Sequence, residues 1–483
     1  MKSRSLGLSV ALAAALVTLA SDARAQWPQW GQNPGHTSFL PAVQVQSPDQ
    51  IGWQYQFDQD PPTADILIHY AVPLVLDDGN LIVTLRHEIG FRSATYDVAK
   101  LDSSGNVVWG PFASDYRYPT HNWEPVFQPV AANGSVYYPG AGGVLHTRSL
   151  SDGTPGPDIV SDAIPADADP AQVAVTVFVG GVPAVDGDGT VYYTIRTQGT
   201  PPPGVLNQVV KATVDGTVTH ANFADLTGNP SFVTPLNAGA AISPDGTIWV
   251  VTRGGSLNRL LGLNADLSLK CAGNLDQMPT KRALIIDDSS SVPVAGPDGR
   301  VFYGGWNSNG LSRGYLYEFS SSCTFLGYYD FGWDDTPAIY QPDPSDPTTY
   351  FMAQKDNHYE NGTHVGPYYI TALNPNIDPS ITDDLLKVMG VEWRFPLVRD
   401  GVASEWCINQ PAVDMNGTVL ANGEDGYYYA IAWGGLTSAS QKLIDARDAA
   451  YTPLAIASDG TVYTLNSGVL FQILAAAPSK AER

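Results

Sequence analysis

Short apolar runs that flank Asp-Gly or Asn-Gly pairs recur along the chain. In residues 183–196, PAVDGDGTVYYTIR, one apolar run meets a turn at Gly189, and a second run rich in Val, Tyr and Ile follows. Asp-Gly and Asn-Gly pairs supply the positive φ that a tight hairpin turn requires. The second run carries β-branched and aromatic side chains, which suit a pleated strand. Each unit therefore predicts a β-hairpin.

The hairpin unit occurs eight times, and successive turns are 43 to 70 residues apart. The turn positions are Gly79, Gly134, Gly189, Gly246, Gly299, Pro347 in a degenerate copy, Gly417 and Gly460. A second strand pair follows several copies, so that the full unit is a four-stranded sheet of roughly 40–50 residues, a period typical of β-propellers. A solenoid is the alternative architecture.

The two ends of the chain favour closure of the repeats into a ring. The last copy provides three strands, and residues 51–58 offer a fourth. A ring closed in this way leaves no open sheet edge. We therefore predict an all-β propeller of eight four-stranded blades closed by an N-terminal strand, with seven blades as the alternative if the Pro347 copy is incomplete. Outside the repeats, residues 378–390 predict a short helix ending at Gly390, and residues 155–172 predict an acidic loop.

The first 25 residues have the features of a signal peptide. Lys2 and Arg4 precede an apolar run, and residues 23–25, Ala-Arg-Ala, form a small-x-small cleavage site. We expect cleavage before Gln26, a single propeller domain over residues 26–483, and a periplasmic or secreted protein. No cysteine follows the cleavage site, so a lipoprotein is not expected, and no later apolar run is long enough to span a membrane.

The chain is strongly acidic, with 25 Lys and Arg against 48 Asp and Glu and a formal net charge of −23. Such a surface excludes nucleic acid as a partner and leaves a protein or carbohydrate ligand. Calcium binding by acidic loops stays open. The three cysteines, Cys271, Cys323 and Cys407, leave at least one thiol without an intramolecular bridge, and Cys271–Cys323 is one pairing among those open.

The repeat PAVDGDGTVYY, the partial copy KLDSSGNVVW and the segment QWPQWGQNPGHTSF resemble the pyrroloquinoline-quinone (PQQ)-like β-propeller repeat proteins. That family includes quinoprotein alcohol dehydrogenases and non-catalytic scaffolds such as the outer-membrane assembly lipoprotein BamB. The dehydrogenases typically carry two adjacent cysteines over the quinone, and the assembly factor carries a lipidated cysteine. This chain has neither feature. The resemblance therefore implies the propeller fold, and bound PQQ is not expected.

In such a propeller the position seven residues after the turn lies at the mouth of the central funnel, opposite the turns. Converging guanidinium groups at this position suit carboxylate or phosphate, and so predict an anion-binding funnel. The alternative is that the arginines pair with local acids such as Glu88 or Glu424. The position holds Arg86, Ala141, Arg196, Arg253, Trp306, Gln354, Glu424 and Ser467 in turn. With a Trp from a neighbouring loop, the predicted ligand-binding residues are Arg86, Arg196, Arg253, Trp306, Trp123 and Glu424.

Three histidines in loops or strands near the same mouth are catalytic candidates: His121, His146 and His358. An Arg that neutralises a uronate, beside a His or Tyr that moves a proton, would make a polysaccharide lyase. No complete catalytic motif occurs, since residues 310–314, GLSRG, lack the strand–turn–helix setting of a nucleophile elbow. We therefore predict an exported, non-catalytic propeller for recognition or scaffolding. The alternative is an enzyme acting in the funnel, either a lyase on uronate-containing glycans or a divergent quinoprotein dehydrogenase.

Overall fold

The protein is almost entirely made of β-strands. The computed structural model describes residues 26–61, 68–90, 93–120, 124–254, 257–276, 285, 291–306, 313–332, 334–357, 359–360, 363–364, 366, 368–383, 386–406, 408–445 and 453–475. Two short helices occur within these ranges. In the same ranges no helix combines the length and the apolar character needed to cross a membrane.

The strands form antiparallel sheets that follow one another along the chain, and one parallel bridge, between Tyr328 and Val388, joins two of these sheets at their last strands. The first strand, β1 (Pro48–Gln56), precedes sheet 1, which contains β2 (Leu74–Val75), β3 (Leu81–Gly90), β4 (Ser93–Leu101) and β5 (Val107–Ala113). Sheet 2 contains β6 (Val130–Ala132), β7 (Ser135–Pro139) and β8 (Leu145–Ser149). Helix α1 (Pro170–Thr176) leads into sheet 3, with β9 (Val177–Val179), β10 (Ala184–Val185), β11 (Val191–Thr197), β12 (Gln208–Ala212) and β13 (Val218–Asn222), and helix α2 (Phe223–Thr227) follows.

The second half of the chain continues the pattern. Sheet 4 contains β14 (Ala241–Ile242), β15 (Ile248–Gly254), β16 (Leu257–Leu263) and β17 (Leu269–Asn274), and sheet 5 contains β18 (Val294–Ala295), β19 (Val301–Trp306), β20 (Arg313–Phe319) and β21 (Phe325–Gly332). Sheet 6 contains β22 (Ala338–Tyr340), β23 (Phe351–Asp356), β26 (Tyr369–Asp383) and β27 (Leu386–Pro396). Between β23 and β26 along the chain, β24 (Tyr359–Glu360) and β25 (Thr363–His364) form a separate small hairpin. A second small hairpin, β28 (Val398–Arg399) and β29 (Val402–Ala403), precedes sheet 7, with β30 (Ala412–Val413), β31 (Val419–Asn422), β32 (Tyr427–Ile431) and β33 (Ser438–Lys442). Sheet 8 contains β34 (Leu454–Ile456), β35 (Val462–Asn466) and β36 (Val469–Ala475).

The two ends of the described chain meet in one sheet. Strand β1 pairs antiparallel with β36, with Gln56 opposite Val469, and so completes sheet 8 as a four-stranded sheet. The first strand of sheet 1, β2, also lies against the first strand of sheet 8, β34. The pairing predicted for residues 51–58 is therefore present. The number of blades and the closure of the whole ring stay predictions.

The hairpin turns lie where the Asp-Gly and Asn-Gly pairs predict them. The seven turn glycines have φ values between 72° and 86°, a region that L side chains rarely adopt. In the turn at Gly189, the Asp186 carboxylate accepts hydrogen bonds from the backbone N–H groups of Asp188 and Thr190, both at 2.9 Å. Short polar side chains that satisfy the turn backbone explain why aspartates recur at this point.

The degenerate copy around Pro347 has a different register. In the glycine copies the residue two positions after the glycine pairs with the first strand, as Leu81 pairs with Val75. In this copy Met352 makes the corresponding pair with Ile339. The strand is thus shifted by three residues, and Asn357 replaces Gln354 as the equivalent of the funnel position.

The helix predicted over residues 378–390 is wrong. Strands β26 and β27 continue through this segment and pair as a hairpin, with Thr382 opposite Lys387 and Asp383 opposite Leu386. Cross-strand pairing satisfies the backbone along most of the segment, and it overrides the weak local helix preference. The acidic loop predicted for residues 155–172 ends earlier than expected, because helix α1 begins at Pro170 with the Asp169 side chain accepting a hydrogen bond from Ala171 N.

An N-terminal segment, residues 26–40, runs across the first strands of successive sheets. Backbone N–H groups in the first strands of sheets 1, 2, 4, 5, 6 and 7 donate to its carbonyl oxygens, in the pairs Val75 to Trp27, Ala131 to Pro28, Ile242 to Pro34, Ala295 to Gly35, Ile339 to Thr37 and Val413 to Ser38. In sheet 3, the Gln29 side chain takes over this role and binds both N and O of Val185, at 2.7 and 2.9 Å. A single continuous segment therefore ties the inner strands of seven sheets together. We call it the N-terminal segment below.

A disulfide joins the outer parts of sheets 4 and 5. Cys271 on β17 and Cys323, in the turn between β20 and β21, are bonded with a Cα–Cα distance of 5.8 Å and a sequence separation of 52 residues. Cys407 lies outside the described residues. The bridge lies at the outer strands, away from the inner strands that the N-terminal segment contacts.

Reduction of this disulfide, or the variant Cys323→Ser, is expected to lower the free energy of unfolding by about 2–4 kcal/mol, because the cross-link limits the unfolded chain. Chemical denaturation with and without reductant measures the change. Reductant should have no further effect on Cys323→Ser. Equal unfolding midpoints for oxidised and reduced wild type would contradict the prediction.

Candidate functional site

Arg86, a predicted ligand-binding residue, lies in a buried ion-pair network. Its Nε and Nη2 donate to the two carboxylate oxygens of Glu124 at 2.7 and 2.8 Å, and its Nη1 donates to Asp58 Oδ2 at 3.0 Å. Tyr70 OH donates to Asp58 at 2.6 Å, and Tyr96 OH donates to Glu124. Arg86 is 2% exposed, and both acids are 0% exposed. For this arginine the structure favours pairing with local acids over binding an external anion.

The network joins three separate parts of the chain. Asp58 follows β1 and its backbone N–H donates to Gly468 O of sheet 8, Arg86 lies on β3 of sheet 1, and Glu124 precedes sheet 2. Burial alone would lower the pKa of Arg86, but the hydrogen bonds and charges of Glu124 and Asp58 raise it above its ordinary value. The arginine therefore remains charged, and its ion pairs tie the residue that follows β1 to sheet 1 and to the segment before sheet 2.

Arg86→Leu is expected to lower the free energy of unfolding by about 3–5 kcal/mol, because it leaves two buried carboxylates without their cation. The matched control is Arg196→Leu, at the equivalent position of sheet 3, where the side chain is half-buried. We expect that control to lose about 1 kcal/mol or less. Urea denaturation of the two variants side by side measures the difference, and equal losses would refute the structural role of Arg86.

The other predicted funnel residues lie near the ends of second strands. Arg196 lies on β11, Trp306 ends β19 and Glu424 follows β31, and all three are half-buried. Arg253 on β15 donates from Nε to Ile285 O at 3.0 Å. Their role in binding an anion stays a prediction.

The histidine candidates separate. His146 lies on β8 between two carboxylates, with Nε2 at 2.8 Å from Asp115 Oδ1 and Nδ1 at 3.1 Å from Asp158 Oδ1. Burial alone would lower the pKa of His146, but the hydrogen bonds and charges of the two acids raise this pKa above the ordinary value. It belongs to sheet 2 and not to the group of buried side chains described next. His121, His358, Trp123 and the motif residue Ser312 lie outside the described residues.

Buried polar and ionisable side chains converge where several first strands begin, and we call this group the central cluster: His69, Asn237, Asp334, Asp335 and Lys355. They come from the segments before β2, β14 and β22 and from β23. None of them is more than 3% exposed. Asn237 Nδ2 lies 3.5 Å from His69 Nδ1, although sheets 1 and 4 are not consecutive. The contact therefore crosses the centre of the arrangement.

Burial shifts the pKa values of two groups in the cluster in opposite directions. Burial lowers the pKa of His69 to about 4, against the charge of Asp334 and a hydrogen bond with Glu124 O. Burial raises the pKa of Asp335 well above its ordinary value, with the charge of Lys355 opposing the shift and that of Asp334 adding to it. Asp335 Oδ2 accepts a hydrogen bond from Lys355 N at 2.9 Å. A neutral imidazole beside a carboxyl group of raised pKa is an arrangement suited to proton transfer.

The sequence placed Lys355 near the funnel mouth and left Asp334 and Asp335 as an acidic loop open to calcium, but it did not predict the central cluster. Four members of the cluster lie before the first strand of a sheet, and Lys355 lies in the copy with the shifted register. Aligning the segments before the strand-initial prolines, such as Pro73 and Pro337, would have brought His69 and Asp335 forward. The opposite end of the first strands is covered by the N-terminal segment. A cavity of about 750 Å³ lies there, between that segment and the turns of sheets 3 to 6.

A buried histidine in the N-terminal segment makes stability depend on pH. Burial lowers the pKa of His36 from 6.5 to about 4, although its hydrogen bond with Pro293 O opposes this shift. The unfolded chain takes up a proton below pH 6.5 that the folded protein refuses until pH 4. We therefore expect the free energy of unfolding to fall over this window, with a shallower fall for His36→Gln.

Denaturation curves at a series of pH values measure this dependence. His146→Gln is the control with the opposite sign, because the raised pKa of His146 adds stability as the pH falls, and its removal should steepen the loss. An unchanged slope for His36→Gln would contradict the account of His36.

The described residues lack the side chains expected of a cation and quinone site. They contain no group of three or more His, Cys, Asp or Glu side chains arranged to hold a metal ion. The Cys271–Cys323 disulfide lies at the outer strands, and no two cysteines are adjacent in the sequence. These residues therefore do not fit a quinone held over a disulfide and beside a cation.

Comparison with known proteins identifies the fold. No family model and no curated protein matches the sequence. A europium-containing methanol dehydrogenase aligns with a TM-score of 0.53 and 11% identity, over 90% of this chain and 89% of that chain. A quinohemoprotein alcohol dehydrogenase from Comamonas testosteroni aligns with a TM-score of 0.57 and 12% identity, over 93% and 81%. One from Pseudomonas putida HK5 aligns at 0.54 and 12%, over 94% and 81%.

These comparisons correct one prediction and confirm two others. The predicted non-catalytic scaffold is contradicted, because the three solved structures aligned above are dehydrogenases, and this favours the enzyme alternative. The predicted all-β propeller class and the resemblance to PQQ-like repeat proteins are confirmed. The chain has the PQQ-like β-propeller fold of these dehydrogenases.

Proposed function

We propose that the protein is an oxidoreductase that acts on an alcohol at the central cluster. The observation that carries the proposal is the convergence of His69, Asp335 and Lys355, from sheets 1 and 6, into one buried group. Buried ionisable groups with shifted pKa values are enriched at reaction sites. The similarity in fold to alcohol dehydrogenases supports the choice of reaction class.

Asp335 is the residue best suited to handle the hydroxyl proton of such a substrate. Its raised pKa makes its carboxylate a stronger base than an exposed one, and its Oδ2 is held in place by Lys355 N. Burial is the main cause of the raised pKa of Asp335, and the charges of Lys355 and Asp334 act on that pKa in opposite directions. His69 remains neutral at pH 7 because its pKa is about 4, and it supplies a polar ring without an added charge.

The electron acceptor is a separate question from the proton. The described residues do not fit a quinone with its cation, so we derive no step through that group. We propose proton removal from a hydroxyl group as the step that the central cluster supports. We also propose that the protein is exported, on the basis of the signal-like residues 1–25 and the strongly acidic composition.

Reduction of an artificial electron-accepting dye tests the proposed function. The purified protein is supplied with primary alcohols, secondary alcohols and sugar alcohols, each with and without PQQ and either calcium or a lanthanide. We expect dye reduction that depends on an alcohol. Absence of alcohol-dependent reduction under every combination would overturn the assignment as an oxidoreductase.

A further inference from the structure

A row of polar side chains crosses the face of sheet 6 that packs against sheet 5. Gln354 on β23, Thr371 on β26 and Arg394 on β27 are direct cross-strand partners, so their side chains lie on the same face. Asp356, two residues after Gln354, shares that face. The rest of the contact is apolar, with Met352 and Leu373 of sheet 6 among Phe302, Leu316 and Phe331 of sheet 5. The presence of this polar row within an otherwise apolar interface needs a physical explanation.

The outer end of the row is hydrogen-bonded and reaches solvent. Tyr329 OH, from β21 of sheet 5, donates to Asp356 Oδ2 at 2.7 Å, and Thr371 Oγ1 donates to the same oxygen at 3.0 Å. Arg394 Nη2 donates to Tyr329 OH at 2.7 Å. The Arg394 side chain is 45% exposed, whereas Asp356 is 3% exposed. The row therefore connects a buried carboxylate to the protein surface.

The inner end of the row contains polar atoms that no described protein group satisfies. Gln354 is 0% exposed, and neither Oε1 nor Nε2 of its amide forms a hydrogen bond. Asp335 Oδ1 is likewise buried without a hydrogen bond. The other oxygen of Asp335 accepts a hydrogen bond from Lys355 N, the peptide nitrogen directly after Gln354, so the Asp335 carboxyl group lies beside the backbone from which the Gln354 side chain starts. Leaving such buried groups without a hydrogen-bond partner is unfavourable.

We propose that ordered water bound by Gln354 and Asp335 completes a proton path from the central cluster, between sheets 5 and 6, to solvent beside Arg394. Buried water typically binds polar groups that the protein itself leaves unsatisfied. In this path Asp335 gives its proton from Oδ1 to the water, and the water passes a proton to the Asp356 carboxylate. Asp356 then releases a proton to water that enters beside the partly exposed Arg394 side chain. No bond to carbon changes, and no electron moves.

The proton path provides a function for the polar row, which otherwise weakens the apolar contact between sheets 5 and 6. Oxidation of an alcohol releases a proton from the hydroxyl group, and a site as buried as the central cluster needs a route for it. This use rests on the proposed function. The bound water and the exchange of protons along the row do not depend on it.

A high-resolution crystal structure of the wild-type protein tests the water. We expect ordered water within hydrogen-bonding distance of the Gln354 amide and of Asp335 Oδ1, and its loss in Gln354→Leu. Direct protein partners for both groups, or a dry gap between them, would overturn the proposal.

Infrared spectroscopy in heavy water tests the transfer. At a pH at which Asp335 is protonated, its carboxyl band, identified by its loss in Asp335→Asn, should show rapid exchange of the proton for deuterium in the wild type. Gln354→Leu should slow the exchange by about tenfold or more, because exchange then requires local opening of the interface. Met352→Leu, on the same strand and face, is the matched control and should exchange at the wild-type rate.

Equal exchange rates in Gln354→Leu and wild type, or no protonated carboxyl band that Asp335→Asn removes, would overturn the path. Slowed exchange in a protein that oxidises no alcohol would leave the path intact and reject only the proposed function. The two ideas therefore fail separately.

Discussion

A protein that lacks residues 26–40 will not unfold as a single cooperative unit. The N-terminal segment accepts backbone hydrogen bonds from the first strands of six sheets and binds a seventh through the Gln29 side chain. It also buries Trp27 and Trp30, each 1% exposed. Removing it would leave unpaired N–H groups at the inner strands of seven sheets and would uncover apolar surface among them.

The measurement is chemical denaturation of the truncated chain, followed by tryptophan fluorescence and by circular dichroism. We expect a broad or absent transition and dye binding to exposed apolar surface. If the truncated chain does not accumulate, a matched pair of point variants tests the contribution of the N-terminal segment instead. Gln29→Ala leaves N and O of Val185 unpaired and should cost about 1–3 kcal/mol. Gln32→Ala, a half-buried neighbour with one bond to Gln26 O, should change stability by about 0.5 kcal/mol or less.

A cooperative transition at the wild-type midpoint in the truncated chain would show that the sheets hold together without the segment. Equal losses in Gln29→Ala and Gln32→Ala would show that the hydrogen bonds to Val185 contribute little. Either result would contradict the role given to the N-terminal segment.

The hairpins could be read from the sequence because their cause is local. A positive φ at Gly189 and the Asp186 side chain on the turn backbone depend on neighbours a few residues away. Where that local cause is missing, as around Pro347, the register assigned from the sequence is wrong by three residues. The helix expected over 378–390 fails for a related reason, since pairing between β26 and β27 decides that segment.

The site was harder to predict because its partners are distant in sequence. Arg86 binds Asp58 and Glu124, which lie 28 and 38 residues away in the sequence. The residues around Arg86 do not indicate which acids it will contact. His69 and Asn237 are separated by 168 residues and meet only because the first strands converge. Composition and repeat spacing predict that convergence in general, but not which side chains occupy it.

Asp335→Asn should abolish most of the alcohol oxidation that we propose for this protein. The change keeps the shape of the side chain and can still accept the hydrogen bond from Lys355 N, but it removes the group that takes the hydroxyl proton. Loss of a positioned acid–base group typically costs about 10²–10⁴-fold in rate. Because the substitution does not remove a binding contact shared by ground and transition states, KM should change little while kcat falls.

The matched control for this variant is Asp343→Asn, in the same region of the chain. Asp343 is exposed, and its carboxylate accepts bonds from Ser345 N at 2.9 Å and Ser345 Oγ at 2.7 Å within a turn. We expect wild-type kcat for this control, with a small change in stability at most. Circular dichroism of both variants checks that any loss of turnover occurs in folded protein.

The central claim is that reaction takes place at the buried cluster where the first strands converge, and the ratio of kcat for Asp335→Asn to that for wild type tests it most directly. The account predicts a ratio of about 10⁻² or lower in a protein that remains folded. A ratio near one in active, folded protein would place the chemistry elsewhere and would contradict the account.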